Sequence, residues 1–137
     1  MKHFKHLSLF LIAILFLFSI VSGCADDSLP EGYYDPISCD TELTPEFTLT
    51  GAKVTYRVTA TGEYQLDSIL WTDEEGEHTE TTITLPFEME VQFTGEADYK
   101  LSIEGSVTNG TINLEAKAET DNGSLSTSTG NCSKILN

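Results

Sequence analysis

From Phe47 to the end of this 137-residue chain, apolar and polar residues alternate with a period of two, a pattern only extended, half-buried strands can satisfy. In Val54-Thr55-Tyr56-Arg57-Val58-Thr59-Ala60 the apolar side chains fall on one face and Thr and Arg on the other. Phe87 to Phe93 gives the cleanest alternation: Phe87, Met89, Val91 and Phe93 point inward, while Glu88, Glu90 and Gln92 face water. Leu66 to Thr72 reads as another strand, with Leu66 and Leu70 opposing Ile69 and Trp71, so both of its faces are partly buried. Thr79 to Leu85 continues with Thr81, Ile83 and Leu85 on one side until Pro86 interrupts.

Turn chemistry separates these runs. Asp73-Glu74-Glu75-Gly76-Glu77 is a turn, and Asn109-Gly110 tolerates the positive φ angles of a type I′ hairpin between Tyr99–Val107 and Thr111–Glu119. Asn122-Gly123 repeats the device before a Ser/Thr-rich strand around Leu125. No helical period occurs after residue 24. About seven short strands with turns every 8 to 12 residues predict an all-β fold, an immunoglobulin-like antiparallel β-sandwich over residues 46–137. Charged residues on the edges discourage edge-to-edge aggregation.

Residues 1–23 have a different character. Lys2 and Lys5 precede an apolar run from Leu7 to Val21, broken only by Ser8 and Ser19. That run is about 15 residues, short of the ~20 a membrane-spanning helix needs, and it fits a secretory leader. Val21-Ser22-Gly23-Cys24 resembles the lipobox of bacterial lipoproteins at all four positions. The resemblance implies removal of residues 1–23 and acylation of Cys24; an ordinary N-terminal membrane helix is the competing reading. Each buried methylene contributes roughly 0.8 kcal/mol, so several acyl chains would anchor the protein to the membrane firmly. Asp26 and Asp27 resemble the surface-export signal of Bacteroidetes lipoproteins, which implies the outer face of the outer membrane, with the periplasmic leaflet as the alternative. Residues 24–45, carrying Pro30, Pro36, Pro45 and Tyr33-Tyr34, read as a lipidated tether packed only at its end.

Seven basic residues stand against 22 acidic ones, and the leader takes Lys2 and Lys5 with it. So acidic a chain disfavours nucleic acid and anionic lipid heads as partners and favours solubility or a cationic partner, a solvated exported surface being the competing reading. Chemistry-bearing residues are scarce. His78 is the one histidine beyond the leader and Arg57 the sole arginine, so no Ser/His/Asp set with an oxyanion site can be assembled. The expectation is a protein that is not an enzyme and needs no cofactor. Asp73, Glu75 and Glu77 offer hard oxygen ligands for calcium, although their spacing differs from an EF-hand and an exposed turn is the competing reading. Trp71, with Tyr33, Tyr34 and Tyr64, could form an aromatic platform for a sugar; burial in the core is its other reading. Asp27-Ser28-Leu29 and Asp67-Ser68-Ile69 resemble the O-glycosylation signal of Bacteroidetes exported proteins.

With Cys24 acylated, Cys39 and Cys132 remain to pair in an exported protein, tying the segment before the first strand to the end of the last. Two free thiols are the alternative. In the chain-entropy treatment such a bridge stabilises by at most about 4.6 kcal/mol.

Val54-Thr55-Tyr56-Arg57-Val58, Ile69 to Gly76, Thr84-Leu85-Pro86-Phe87, Gly110-Thr111-Ile112 and Gly130-Asn131-Cys132 together resemble the extracytoplasmic domain of the MmpS family of mycobacterial membrane proteins. The resemblance covers roughly residues 53–132, and Leu-Pro followed by an aromatic is its most specific piece. It implies a β-sandwich and a transport-accessory role beside a large exporter. Leu114 stands where that family tends to carry a cysteine, which leaves Cys39 as the implied partner of Cys132. The functional expectation is a non-catalytic envelope lipoprotein with a protein partner, an accessory to an export or surface assembly. The alternative is a surface lipoprotein that captures a glycan or a cation.

Overall fold

The structure, a computed structural model, describes residues 35–46 and 49–136. It is all-β and antiparallel, as the alternation requires. Two long strands, β3 (Ala52–Asp73) and β7 (Leu101–Thr120), pair along nearly their whole lengths. At one end they are flanked by β5 (Phe87–Gln92) and β8 (Leu125–Lys134), and at the other by β4 (Gly76–Glu80) and β1 (Ile37–Leu43). Two layers result, β5-β3-β7-β8 and β4-β3-β7-β1, which share their two middle strands. β2 (Leu49–Thr50) and β6 (Glu96–Ala97) form a separate two-stranded ribbon.

The sheet curls until its own inner face meets itself. Tyr56 and Thr72 are 16 residues apart on β3, about 53 Å if the strand were straight at 3.3 Å per residue. Yet the Tyr56 hydroxyl donates to the Thr72 carbonyl at 2.7 Å. Tyr56 also lies 6.2 Å from Trp71 and 6.5 Å, edge-on, from Tyr99, ring centre to ring centre. Around these rings pack Val54, Val58, Ile69, Leu101, Ile103, Ile112 and Leu114, all buried. Each such aliphatic side chain removed from water contributes about 1.5–3 kcal/mol. Ala116 and Ala118 are buried where β7 runs beside β8.

A single extra residue in each long strand makes the curl possible. Along β3 the buried apolar positions are Ala52, Val54, Tyr56 and Val58, then Ile69 and Trp71, so the inward parity switches from even to odd. Along β7 it switches the other way, from Leu101, Ile103 and Val107 to Ile112, Leu114, Ala116 and Ala118. The β3–β7 register skips Asp67 on one strand and Thr108 on the other. Each skipped residue is a β-bulge, which adds one residue, bends the strand and inverts the faces of everything beyond it.

Several expected boundaries change for this reason. Val54–Ala60 and Leu66–Thr72 belong to one strand. Asn109-Gly110 is no hairpin turn but the middle of β7, where Gly110 faces Gly62 across the ladder. The backbones are so close there that a Cβ on Gly110 would meet the Thr61 carbonyl. Gly62 has φ +78°, which glycine adopts without steric cost. Ile37–Leu43, read from the sequence as part of a tether, is instead strand β1 and pairs fully with β7. β4 ends at Glu80, so Thr81 to Leu85 is not strand. The turn after Asp73 stands as expected, and so does Asn122-Gly123, where the Gly123 N–H donates to the Thr120 carbonyl at 2.9 Å.

Candidate functional site

The two outermost strands of the opposite layers, β1 and β8, meet along a seam. Cys39 and Cys132 form a disulfide across it, with Cα atoms 5.7 Å apart. Gly130 packs so tightly there that a Cβ would come within 3.0 Å of the Leu43 and Thr41 side chains. The Ser128 hydroxyl donates to the Thr44 carbonyl at 3.3 Å and also lies 3.3 Å from the Tyr99 hydroxyl. The seam is therefore covalent, apolar and hydrogen-bonded at once. Cys24, Asp26 and Asp27 lie outside the described residues, as do Tyr33 and Tyr34.

Trp71 is a core residue and not a sugar platform. It is only 8% exposed, and its ring stacks on His78 at 4.3 Å, the residue opposite it on β4. Tyr64, 40% exposed, is seven residues back along the same strand, and the ring contacts of Trp71 are with Tyr56 and His78 instead.

The acidic run after Trp71 is built as a turn rather than as a metal cage. Asp73 Oδ1 accepts the N–H groups of Glu75 at 2.7 Å and Gly76 at 3.1 Å, the local capping by which Asp initiates turns. Its other oxygen lies 2.8 Å from His78 Nε2. The nearby His78 imidazole, helped by those two N–H groups, holds the Asp73 carboxyl below its ordinary range. Glu77 is drawn away to Lys100 at 3.4 Å, and Glu75 lends this turn its N–H. Asp73, Glu75 and Glu77 are thus neighbours in sequence that do not converge, and no group of three His, Cys, Asp or Glu could hold a metal ion among the described residues.

Glu74 reaches across to the segment before β6. It accepts the Thr94 hydroxyl at 2.7 Å, the Thr94 N–H and the Gly95 N–H at 3.4 Å. The Thr94 hydroxyl and N–H hold its carboxyl low. The cleft at this end, about 820 Å³, is lined by Asp73, Glu74, Glu77, Glu96, Asp98 and Lys100, among others. Lys100 bonds Glu42 at 3.0 Å, which keeps its ammonium above the ordinary range. Behind the cleft, Thr72 Oγ1 accepts the Lys100 N–H at 2.8 Å, and burial pushes the Tyr56 hydroxyl up to about 12.

A second concavity, about 460 Å³, opens on the outer face of the β5-β3-β7-β8 layer. Its walls include Arg57, Thr59, Asn113, Glu115, Thr129 and Asn131, with Leu114 and Gly130 between them. The register aligns these residues in two cross-strand rows. Glu88, Arg57, Glu115 and Thr129 form one; Thr59, Asn113 and Asn131 form the next. Three ion pairs dress the same face: Lys53 with Glu90 at 3.3 Å, Arg57 with Glu88 at 4.0 Å, and Lys117 with Glu119 at 3.7 Å. Charge is close to balanced here, with Lys53, Arg57 and Lys117 against Glu88, Glu90, Glu115 and Glu119, on a chain that is strongly acidic as a whole. Sequence reasoning passed over these side chains because each looked like the solvated half of an alternating strand. The one available signal was that three of the five cations after residue 24, Lys53, Arg57 and Lys117, share outward parity around one pair of strands.

No protein-family model matches the chain, and comparison with curated proteins and with solved structures returns no match.

Proposed function

We propose that this chain is a non-catalytic envelope lipoprotein, anchored through Cys24, whose β-sandwich acts as an interaction module for a protein partner. The observation that supports it best is the Cys39–Cys132 bridge across the seam. Such bonds persist in oxidising compartments outside the cytoplasm, which agrees with the leader and lipobox at residues 1–24. The likeness to MmpS-type domains suggests the kind of role, an accessory to an export or surface assembly.

The charge distribution favours a basic partner surface. Lys53, Arg57, Lys100 and Lys117 each already stand beside a carboxylate. On the outer face of the β4-β3-β7-β1 layer, Asp40 is directly opposite Glu104. Like charges facing each other across a ladder are destabilising, and a cationic partner would relieve them.

Two experiments test the reading. Cys24→Ser should move the protein from the membrane pellet to the soluble fraction, and retention in the pellet would remove the lipid anchor. Crosslinking in cells followed by pull-down should recover one dominant partner, lost on Asp40→Asn with Glu104→Gln. Repeated recovery of none would end the accessory role.

A further inference from the structure

The concavity on the outer β5-β3-β7-β8 face gathers several uncommitted polar side chains in one place. Within the described residues, the side chains of Thr59, Asn113, Thr129 and Asn131 take part in none of the hydrogen bonds that engage the other Ser, Thr and Asn side chains nearby. Thr111 is bonded to Ser133 at 2.9 Å and Thr120 to Asn122 at 2.5 Å, so the same strands do satisfy such groups elsewhere. The Arg57 guanidinium is half-exposed, and its nearest carboxylate, Glu88, is at 4.0 Å, beyond hydrogen-bonding distance.

Cross-strand register then sets the spacing. Asn113 and Asn131 are directly opposed, so their amides stand side by side with Cβ atoms about 5 Å apart. Each amide offers a carbonyl acceptor and two donors; Glu115 adds acceptors, and Arg57 a planar fork of donors. That set matches adjacent hydroxyls on a saccharide ring, each of which both donates and accepts. An adjoining depression of about 310 Å³ shares Arg57 and Thr59 and adds the exposed Tyr64 with Leu85 and Pro86. An aromatic ring beside apolar carbons supplies the surface on which the C–H face of a sugar rests.

Charge narrows the ligand class. Arg57 is flanked across the ladder by Glu88 and Glu115, so the groove carries no net positive field, and the chain as a whole is strongly acidic. Sulfated or carboxylated polymers would be repelled. A peptide strand would want apolar pockets, whereas the lining offers one apolar side chain, Leu114, and that is only 2% exposed.

We propose that the groove formed by Arg57, Thr59, Asn113, Glu115, Thr129 and Asn131, with Tyr64 at its margin, binds a neutral oligosaccharide. Binding there needs only the folded domain and does not depend on a lipid anchor or a protein partner.

The test is an array of neutral and acidic oligosaccharides probed with the full-length, detergent-solubilised protein, followed by titration of the tightest neutral ligand. Asn113→Ala with Asn131→Ala should weaken that affinity about tenfold or more, since even one to two lost hydrogen bonds of ordinary strength suffice. Arg57→Lys should weaken it as well, because an ammonium lacks the fork. Unfolding temperatures should be unchanged in both variants, and Glu104→Gln on the opposite layer should bind as wild type. Capture of no neutral glycan would overturn the proposal. So would capture of acidic glycans alone, or an Asn113/Asn131 double variant that binds like the parent.

Discussion

Removing the Cys39–Cys132 bridge is the perturbation whose magnitude the structure defines best. The two cysteines are 93 residues apart in sequence, so the bond closes almost the entire domain into one loop. In the chain-entropy treatment, opening a loop of that length restores to the unfolded state a freedom of about 4.6 kcal/mol at 25 °C. Small domains have net stabilities of only about 5–15 kcal/mol, so the loss is a large share of the total. Cys39 is 2% exposed, and alanine there also leaves a small void between β1 and its neighbours. At 4–8 °C per kcal/mol for a domain of this size, the double Cys→Ala variant should melt roughly 20–35 °C lower. Urea unfolding read by Trp71 fluorescence and by circular dichroism would measure it, with a reduced wild-type sample alongside. Reduced wild type and the alanine variant should agree within about 1 kcal/mol, the share of the void. A variant that loses less than about 1 kcal/mol would refute the reasoning, since the seam would then hold without its covalent link.

The remaining predictions concern the curl and the acidic end. Gly110→Val drives a branched side chain against the Thr61 carbonyl and should cost about 2–3 kcal/mol in chemical denaturation, whereas Val at the open Gly95 should cost less. Tyr56→Phe removes the hydroxyl that holds the two ends of β3 together and should cost about 1–3 kcal/mol, with the circular dichroism spectrum retained. The Asp73 and Glu74 carboxyls are held below their ordinary values of 3.8 and 4.5, so the unfolded state binds protons before the folded state does. Their contribution should be complete at neutral pH and lost as pH falls through that range and below. A pH series of melting temperatures should show this loss, and Glu74→Gln should both lower the neutral-pH plateau and flatten the acid limb.

Most of the fold was legible wherever alternation was uninterrupted. β5 and the first half of β3 carry an unbroken period of two, and their inward residues are the ones the pattern selects. The turns at Asp73 and Asn122-Gly123 were legible because the side chains that make them are local. Bulges were not. A skipped residue at Asp67 or Thr108 breaks the period just as a strand end would, and Asn109-Gly110 beside the second break imitates a hairpin. Only the non-local pairing of Gly110 with Gly62 distinguishes the two. β1 was hidden for another reason: Ile37 to Leu43 offers just Cys39 and Leu43 to the core, too few apolar residues to announce a strand beside Pro36 and Pro45. The turn acids and Trp71 suggested ligands by type, but hydrogen bonds and burial that only the folded chain supplies had already engaged them.

The position of the sulfur bridge has a mechanical consequence. A pull arriving through the residues before 35 enters β1 at Ile37 and reaches Cys39 two residues later. There a covalent path leads straight into β8, in the other layer, and most of β1 lies beyond it. Tension would therefore reach both layers of the domain before it could peel β1 from β7.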